Sequence, residues 1–276
     1  MLPPSFSVLL SVYKKEQASF LEQSLNSVFT QSLQPNEVVL VEDGPLTDDL
    51  VAVVDKYATL YPVMKIIKLS QNRGLSNALN IGLTHCSHEL VARMDTDDIC
   101  DRLRFEKQVA FMQQKTQIDI VGTYAYRMDE RGELSFLMKV PIEHASILHY
   151  IWTCPFIHPS VMFRKNKILS VGGYNPNSGP RQDDYELWFR CAMKGLCFAN
   201  IPEALLFYRF NDDNIKRNNI KVGWWRFKTG FQGCKKLKCS YIGYIGITIP
   251  FLRALLPYPL NVYIYNLLNK INPRNR

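Results

Sequence analysis

Leu90-Val91-Ala92-Arg93-Met94-Asp95-Thr96-Asp97-Asp98 is a short apolar run that ends by delivering three carboxylates within four residues. Leu90 to Met94 has the length and composition of a buried strand, which places the aspartates at its carboxyl end. Like charges so close repel and raise one another's pKa unless a cation or strong donors compensate. With Asp95 and Asp97 on one side of an extended chain, roughly 7 Å apart, a Mg²⁺ or Mn²⁺ ion together with a substrate's phosphate or ribose suits the span. The competing reading of this fragment alone is a strand-to-helix connection whose aspartates cap a helix beginning near Arg102.

The flanking sequence repeats the pattern. Phe6 to Val12, Val38 to Glu42 and Ile66 to Leu69 are further β-branched and apolar runs of strand length. Between them, Leu21, Leu25, Val28 and Phe29 share one helical face, Asp48 to Tyr61 reads as a second helix, and Leu75, Ala78, Leu79, Gly82 and Leu83 form a third stripe. Strand and helix alternating at this pace predict an α/β fold with a mixed, mostly parallel central sheet and helices on both faces, where ligands bind beyond the carboxyl ends of the strands. Those ends carry Ser11-Val12-Tyr13, Glu42-Asp43-Gly44, Asn72-Arg73-Gly74 and Asp95 to Asp98. Their convergence suits a nucleotide: Asp43 is placed to accept from a base or ribose, and Arg73 to pair with a base carbonyl or phosphate. A plain turn at Asp43 and a solvated charge at Arg73 are the alternatives for each residue taken singly. No Gly-x-Gly-x-x-Gly follows the first strand and no Gly-rich loop ends in Lys-Ser or Lys-Thr, which argues against a dinucleotide-binding dehydrogenase or a P-loop NTPase.

Beyond the acidic cluster, Phe105, Val109 and Met112 mark a helix, Ile118 to Tyr126 a strand, and Asp129 to Glu133 a hairpin turn, so the pattern becomes antiparallel and mixed. This half is expected to cover the sheet's open rim and build the second substrate's site. Its key segment is Arg181 to Arg190. Tyr185, Trp188, Phe189 and Ala192 define the inward face of a helix, Asp184 shares that face, and Asp183 lies with Glu186, Leu187 and Arg190. Asp184 is therefore expected as the inward carboxylate, available as a proton acceptor, with helix capping by both aspartates as the alternative. The preceding glycine-rich stretch, Gly172 to Pro180, reads as a loop suited to closing over a substrate.

In 276 residues the chain is 47% apolar and 12% aromatic, enough for a sizeable core of one large domain or somewhat more. Seven cysteines without a Cys-x-x-Cys pair predict reduced thiols, and no secretory signal is read at the start. Net charge is +8, yet residues 214–276 hold 12 Lys and Arg and no Asp or Glu, leaving 21 basic against 25 acidic residues before them. On a helix from about Lys221, Trp224, Phe227, Phe231 and Cys234 make an apolar stripe flanked by Lys221, Lys228 and Lys235, the geometry of an element lying in a lipid interface. Gly230 and Gly233 weaken that helix, and in the apolar stretch Tyr241 to Tyr265, Pro250, Arg253, Pro257 and Pro259 argue against a spanning helix. Packing of this segment on the domain is the alternative. Its aromatics lie among long apolar runs, so no nucleic-acid partner is expected. The organisation predicted is a domain over 1–212, split into a nucleotide-binding half at 1–98 and a second-substrate half at 99–212, then a basic, apolar membrane-association segment at 213–276.

With these segments in view, the chain resembles the family 2 inverting glycosyltransferases of the GT-A fold, especially bacterial enzymes that build O-antigen and exopolysaccharide (amylovoran-type) repeats. The matching text, from about Ser7 to Arg209, is Ser-Val-Tyr at 11 to 13, Val-Glu-Asp-Gly at 41 to 44, Asn72 to Asn80, Met-Asp-Thr-Asp-Asp at 94 to 98, His158-Pro159-Ser160-Val161-Met162-Phe163-Arg164, and Asp-Asp-Tyr-Glu-Leu-Trp at 183 to 188. The resemblance implies that Ser11, Tyr13, Asp43 and Arg73 hold the nucleotide, Asp95 the ribose, Asp97 a Mn²⁺ or Mg²⁺ ion, and that Asp184 is the base, with Asp183 beside it. Many relatives carry a histidine shortly after Tyr-Arg; here Tyr208-Arg209 is followed by Phe210-Asn211, which leaves Arg209 to neutralise the diphosphate. His158 and Trp188 are acceptor-side candidates, and a structural histidine is an equal reading of His158. The implied partners are a UDP-sugar donor, with glucose or galactose as the hexose, and a polyprenyl-diphosphate-linked or other saccharide acceptor. The implied location is cytoplasmic, peripheral on the inner face of the cell membrane. The rival classes are a sugar nucleotidyltransferase using NTP and a sugar phosphate, or a non-catalytic nucleotide-sugar or sugar-binding protein.

Overall fold

The computed structural model describes residues 3–210, 217 and 219–271. Its first half alternates strand and helix: β1 (Phe6–Val12), α1 (Ala18–Phe29), β2 (Glu37–Glu42), α2 (Asp48–Leu60), β3 (Met64–Lys68), α3 (Leu75–His85) and β4 (Leu90–Arg93). β1 pairs in parallel with β2 and β4, and β2 with β3, so their carboxyl ends share one rim. Alternation within the buried strands divides the core. Val8, Leu10, Val38 and Leu40 meet Leu21 and Leu25 of α1 and Leu50 and Val54 of α2, while Leu9, Val39 and Val41 meet Ala78, Leu79 and Leu83 of α3 on the opposite face.

The second half supplies β5 (Ile99–Cys100), α4 (Arg104–Gln114), β6 (Ile120–Met128), β7 (Leu134–Met138), α5 (His144–His149), β8 (Met162–Arg164), α6 (Lys165–Ser170), α7 (Asp183–Met193) and β9 (Phe198–Arg209). Together they make one mixed sheet in the order β3-β2-β1-β4-β8-β6-β9-β5, with β7 joined to β6 as a hairpin. The hairpin turn falls at Asp129 to Glu133, where Asp129 Oδ1 accepts the backbone N–H groups of Arg131 and Glu133 and Gly132 takes φ +89°. β8 runs antiparallel to both β4 and β6, which marks the change of pattern after the acidic run.

The basic segment folds back onto the domain as α8 (Ile220–Leu237), α9 (Tyr241–Ala254) and α10 (Tyr258–Ile271). The glycines that weaken α8 as an isolated helix are where it docks. A Cβ at Gly233 would lie 2.3 Å from the Phe189 ring, one at Gly230 2.7 Å from the Tyr185 hydroxyl, and one at Gly246 of α9 2.0 Å from Trp152. Cys234, expected on a lipid-facing stripe, is instead fully buried beneath α7, whereas Trp224 and Phe231 stay about half exposed. The expected boundary at residues 212 and 213 lies outside the described residues. Among the described residues no helix is long and apolar enough to cross a membrane.

At the other end of the parallel strands, opposite the rim, Glu37 forms a buried hub. Its carboxylate accepts from the Ser7 hydroxyl at 2.5 Å, the Ser87 N–H at 2.7 Å and the Ser87 hydroxyl at 2.8 Å, and pairs with Lys65 at 2.5 Å. Burial works against its charge, but these donors outweigh burial and hold the carboxyl down at about 2. A depressed folded pKa contributes stability above the unfolded value and loses it as pH falls towards the folded one. Glu37→Gln is therefore expected to lower stability by roughly 2 kcal/mol at neutral pH. In denaturant titrations from pH 7 to pH 3, the gap between wild type and variant should narrow below about pH 4.5; a constant gap would be the contrary result.

Candidate active site

The rim is built first around Asp43, which follows β2. Its Oδ1 accepts the Arg73 N–H at 2.6 Å, and its Oδ2 accepts the Asn72 side-chain amide at 2.9 Å and the Gly74 N–H at 3.0 Å. Gly44 has φ +88°, and a Cβ there would sit 2.5 Å from the Asn72 nitrogen, so only glycine allows the two loops this approach. Asp43 is thus the clamp that sets the 72–74 loop and the start of α3. This modifies the expectation of a mainly ligand-facing carboxylate, since three of roughly four lone-pair directions are already taken. Arg73 and Tyr13 are exposed on the same rim, and Ser11 is half-buried beside them.

The acidic run does not continue the strand. β4 stops at Arg93, Thr96 and Asp97 form a turn, and β5 begins at Ile99, so oxygens of Asp95, Asp97 and Asp98 come within 4.8 Å of one another, closer than an extended chain allows. The capping alternative fails here: the acid before α4 is Asp101, whose Oδ1 accepts the Leu103 N–H at 2.9 Å. Arg93, fully buried, pairs through Nη2 with Asp95 at 2.5 Å. Asp98 Oδ1 accepts the Arg209 N–H at 2.7 Å, and its buried Oδ2 has no hydrogen-bond partner among the described residues. Burial, then the charges of Asp95 and Glu16, push Asp97 up to about 7, and burial with the neighbouring aspartates pushes Asp98 well above the ordinary carboxylate range. Three close carboxylates whose charge is only partly compensated, with one orphaned oxygen among them, make an all-oxygen donor set that fits a hard divalent cation.

Arg209, expected to meet a diphosphate, is committed elsewhere. Its guanidinium donates to the carbonyls of Asp97, Asp129 and Glu130 and to Gln23 Oε1, at 2.7 to 3.2 Å, and lies 3.9 Å over the Phe20 ring. It braces the acidic turn against β9, the β6–β7 hairpin and α1 rather than reaching into open space.

Across the rim, the first turn of α7 brings the other two candidate acids. Asp183 Oδ1 accepts a short hydrogen bond from the Ser76 hydroxyl in the first turn of α3. Asp184 Oδ1 accepts the Tyr185 N–H at 2.7 Å, and the Cys154 thiol lies 3.4 Å from its Oδ2. Burial raises the Asp183 pKa, countered by Ser76. The single inward face expected for α7 is not what forms: Leu187 on the Asp183 side is as fully buried as Tyr185 and Trp188, because α8 and the sheet cover the helix from two directions. Both aspartates stay half-buried. Trp188 is fully buried between Phe156 and His158, which removes it as a wall of the acceptor cleft. His158 Nε2 meets the Tyr174 hydroxyl at 2.9 Å, and burial with the nearby Arg93 charge keeps the imidazole neutral, the structural reading of that residue.

The loop before α7 is pinned rather than free. Asn80 bonds both the N–H and the carbonyl of Tyr174 at 2.7 Å, and Trp225 of α8 covers Gly179 so closely that a Cβ there would sit 2.3 Å from the indole. Sequence reasoning missed Arg93, Asp98, Glu16, Ser76 and Cys154. Arg93 carried a signal, a charge inside an apolar strand, and Asp98 and Ser76 stood in quoted runs; Glu16 follows the rim residue Tyr13 by three positions, and Cys154 is joined to the site by tertiary contact.

A curled mixed sheet with polar loops and an acidic turn on its rim is the GT-A architecture. The chain belongs to glycosyl transferase family 2, whose sequence pattern it matches over residues 7–171. The amylovoran biosynthesis glycosyltransferase AmsE of Erwinia amylovora is 38% identical, covering 94% of this chain and 97% of that protein. The UDP-Gal:alpha-D-GlcNAc-diphosphoundecaprenol beta-1,3-galactosyltransferase of Escherichia coli is 34% identical over 95% of each chain. Among solved structures, S. aureus TarS 1-349 matches with TM-score 0.65 at 16% identity, covering 91% of this chain and 71% of that one. The mannosyltransferase PcManGT of Pyrobaculum calidifontis, in complex with GDP-Man and Mn2+, matches with TM-score 0.65 at 17% identity, covering 99% and 82%. Identities this low show a shared fold.

If the acidic turn binds a cation, millimolar MnCl₂ should raise the unfolding temperature, by roughly 5 °C at a hundredfold excess over Kd. Asp97→Asn should abolish most of that shift while leaving the metal-free unfolding temperature unchanged or higher, since it removes charge from a crowded, buried place. Equal manganese shifts in wild type and variant would refute the assignment.

Proposed function

We propose that this chain transfers a hexose from a UDP-sugar to a lipid-linked saccharide acceptor, with inversion at the anomeric carbon, during assembly of a bacterial surface polysaccharide. The observation that carries the reading is the joining of two acid sites through the start of α3. Asp43 fixes the 72–74 loop that opens this helix, and two residues further on Ser76 bonds Asp183, so the acids of α7 stand beside the nucleotide-facing rim. Galactose is the first sugar to test and glucose the second. The Escherichia coli relative is named as a UDP-Gal enzyme acting on a GlcNAc-diphospholipid, and S. aureus TarS was solved with UDP-GlcNAc and with UDP.

In this reading Ser11, Tyr13, Asp43 and Arg73 line the nucleotide's place, Asp95 meets the ribose, and Asp97 with Asp98 holds the metal. A bound Mn²⁺ or Mg²⁺ would offset the negative charge that grows on the departing diphosphate. Asp184 takes the proton of the acceptor hydroxyl as that oxygen attacks in line. Asp183 is the weaker candidate because the Ser76 hydroxyl, a stronger donor than a thiol, already occupies its carboxylate.

Screening nucleotide-sugars with a GlcNAc-diphosphate carried on a short alkyl chain, with and without Mn²⁺, tests donor, acceptor and metal together. Asp184→Asn should lower kcat by about 10²- to 10⁴-fold with donor affinity kept. Turnover supported only by NTP and a sugar phosphate would point instead to a nucleotidyltransferase.

The C-terminal helices give the acceptor reading a second support. Although α8 and α9 dock on the domain, Trp224, Phe231, Tyr241, Ile242, Ile245 and Leu252 remain 45 to 76% exposed. An apolar surface of this extent beside Lys221, Lys228 and Lys235, with no acidic residue after 213, suits an anionic bilayer and supports the reading of a protein peripheral on the inner face of the membrane. Truncation would uncover Phe189 and Tyr185, so the informative change is on the exposed face. Trp224→Glu with Ile245→Glu should abolish flotation with liposomes containing anionic lipid, and high salt should weaken wild-type recovery. Equal recovery of variant and wild type would reject the membrane contact.

A further inference from the structure

We propose that the Trp152–Cys154 turn, clamped from outside by Arg226 of α8, sets the orientation of the Asp184 carboxylate, so that Cys154 and Arg226 are positioning residues for glycosyl transfer. This rests on the reading of Asp184 as the base. Each oxygen of that carboxylate has one fixed neighbour: the Tyr185 N–H at 2.7 Å on Oδ1 and the Cys154 thiol at 3.4 Å on Oδ2. A thiol is a weak donor. It fixes the rotamer while lowering the oxygen's basicity less than a hydroxyl or amide would, which suits a group that must accept a proton.

Cys154 is held in an unfavourable conformation to do this. Its φ is +63°, in the left-handed region, and Pro155 follows it, a combination that persists only where the surroundings impose it. Two successive carbonyls of the turn are held from two different helices. The Tyr185 hydroxyl donates to the Trp152 carbonyl at 2.8 Å, and Arg226 Nη2 donates to the Thr153 carbonyl at 3.3 Å. The same guanidinium lies 4.5 Å from the centre of the Tyr185 ring, and Trp152 is wedged against Gly243 and Gly246 of α9. One residue before Arg226, Trp225 presses on Gly179, two positions ahead of Arg181, which itself has φ +59° and leads into α7. Adjacent residues of α8 therefore grip the two segments that set the first turn of α7. The C-terminal helices, on this account, complete the acceptor half of the active site in addition to any contact they make with a membrane.

The test measures kcat and donor KM in detergent solution, with UDP-galactose, Mn²⁺ and a GlcNAc-diphosphate on a short alkyl chain as the first pair, so that liposome binding plays no part. Cys154→Ala and Arg226→Met are expected to lower kcat roughly ten- to a hundredfold, the scale of a small misplacement of a reacting group. Donor KM should stay within about twofold, since the nucleotide's place is not touched. Arg226→Lys, which keeps the charge, should recover most of the loss, and Cys154→Ser only part of it, since a hydroxyl restores the rotamer but holds the proton-accepting oxygen more strongly; general loosening of the fold would produce neither rescue. Wild-type kcat in both Cys154→Ala and Arg226→Met, alongside an inactive Asp184→Asn, overturns the positioning role and leaves the base assignment standing. Normal turnover by Asp184→Asn overturns both. If Arg226→Met does not fold, the Cys154 pair decides alone.

Discussion

The constraint on which the rest of the structure depends is the concentration of negative charge after β4, and the answer to it is two buried arginines. Arg93 comes from the strand itself and pairs with Asp95; Arg209 comes from the end of β9 and takes the Asp97 carbonyl through its side chain and Asp98 through its backbone. A buried carboxylate without donors or a counter-charge costs several kcal/mol, so the acidic turn is tenable only when the last strand of the sheet is in place. That couples the two halves of the fold. The same guanidinium ties Gln23 and Phe20 of α1 and the hairpin carbonyls of Asp129 and Glu130 to the turn, so elements from both ends of the domain meet at one side chain. Compensation stops short of neutrality: among the described residues Asp98 Oδ2 has no partner, and Asp97 is pushed up to about 7.

How much of this was legible follows from the range of the interactions. The first four strands and three helices were readable because β-branched runs and 3.6-residue stripes are local, and the ends of the strands and of α2 fell within two residues of expectation. The rim residues followed from topology alone, since parallel strands must end on one side. The functions of individual side chains were harder. Asp43 reads as a ligand contact in sequence, but the backbone N–H groups it clamps belong to a loop about thirty residues away. Arg209 and Trp188 were placed on the correct elements and given the wrong surroundings, because periodicity reports which face of a helix is apolar and says nothing about how many layers cover it. Cys154 had no signal, since its conformation and its partner are both consequences of packing.

The glycines of α8 show the same limit from the other side. In an isolated helix Gly230 and Gly233 cost about 1 kcal/mol each relative to alanine, and an amphipathic reading counts them as defects. In the folded chain they are the positions where Tyr185 and Phe189 of α7 come within contact of the α8 backbone, and the burial of those rings offsets the propensity loss. The amphipathic stripe is consequently split: Cys234 faces inward, while Trp224 and Phe231 keep an outward apolar face.

A helix pair docked by glycines still exposes aromatic and aliphatic side chains. Were the segment only a structural cap, burial of Cys234, Tyr185 and Phe189 would suffice, and polar residues at the exposed positions 242 and 245 would improve solubility. Were it only a membrane hook, it would have no reason to place Trp225 on Gly179 and Arg226 on the Thr153 carbonyl. Both sets of contacts are made by one turn of α8, in which consecutive residues point to different partners: Trp224 outward, Trp225 to the loop before α7, Arg226 to the turn that touches Asp184. A 3.6-residue repeat allows three neighbouring side chains to address three surfaces, and it is this short stretch that ties the exposed apolar face to the carboxylate assigned as the base.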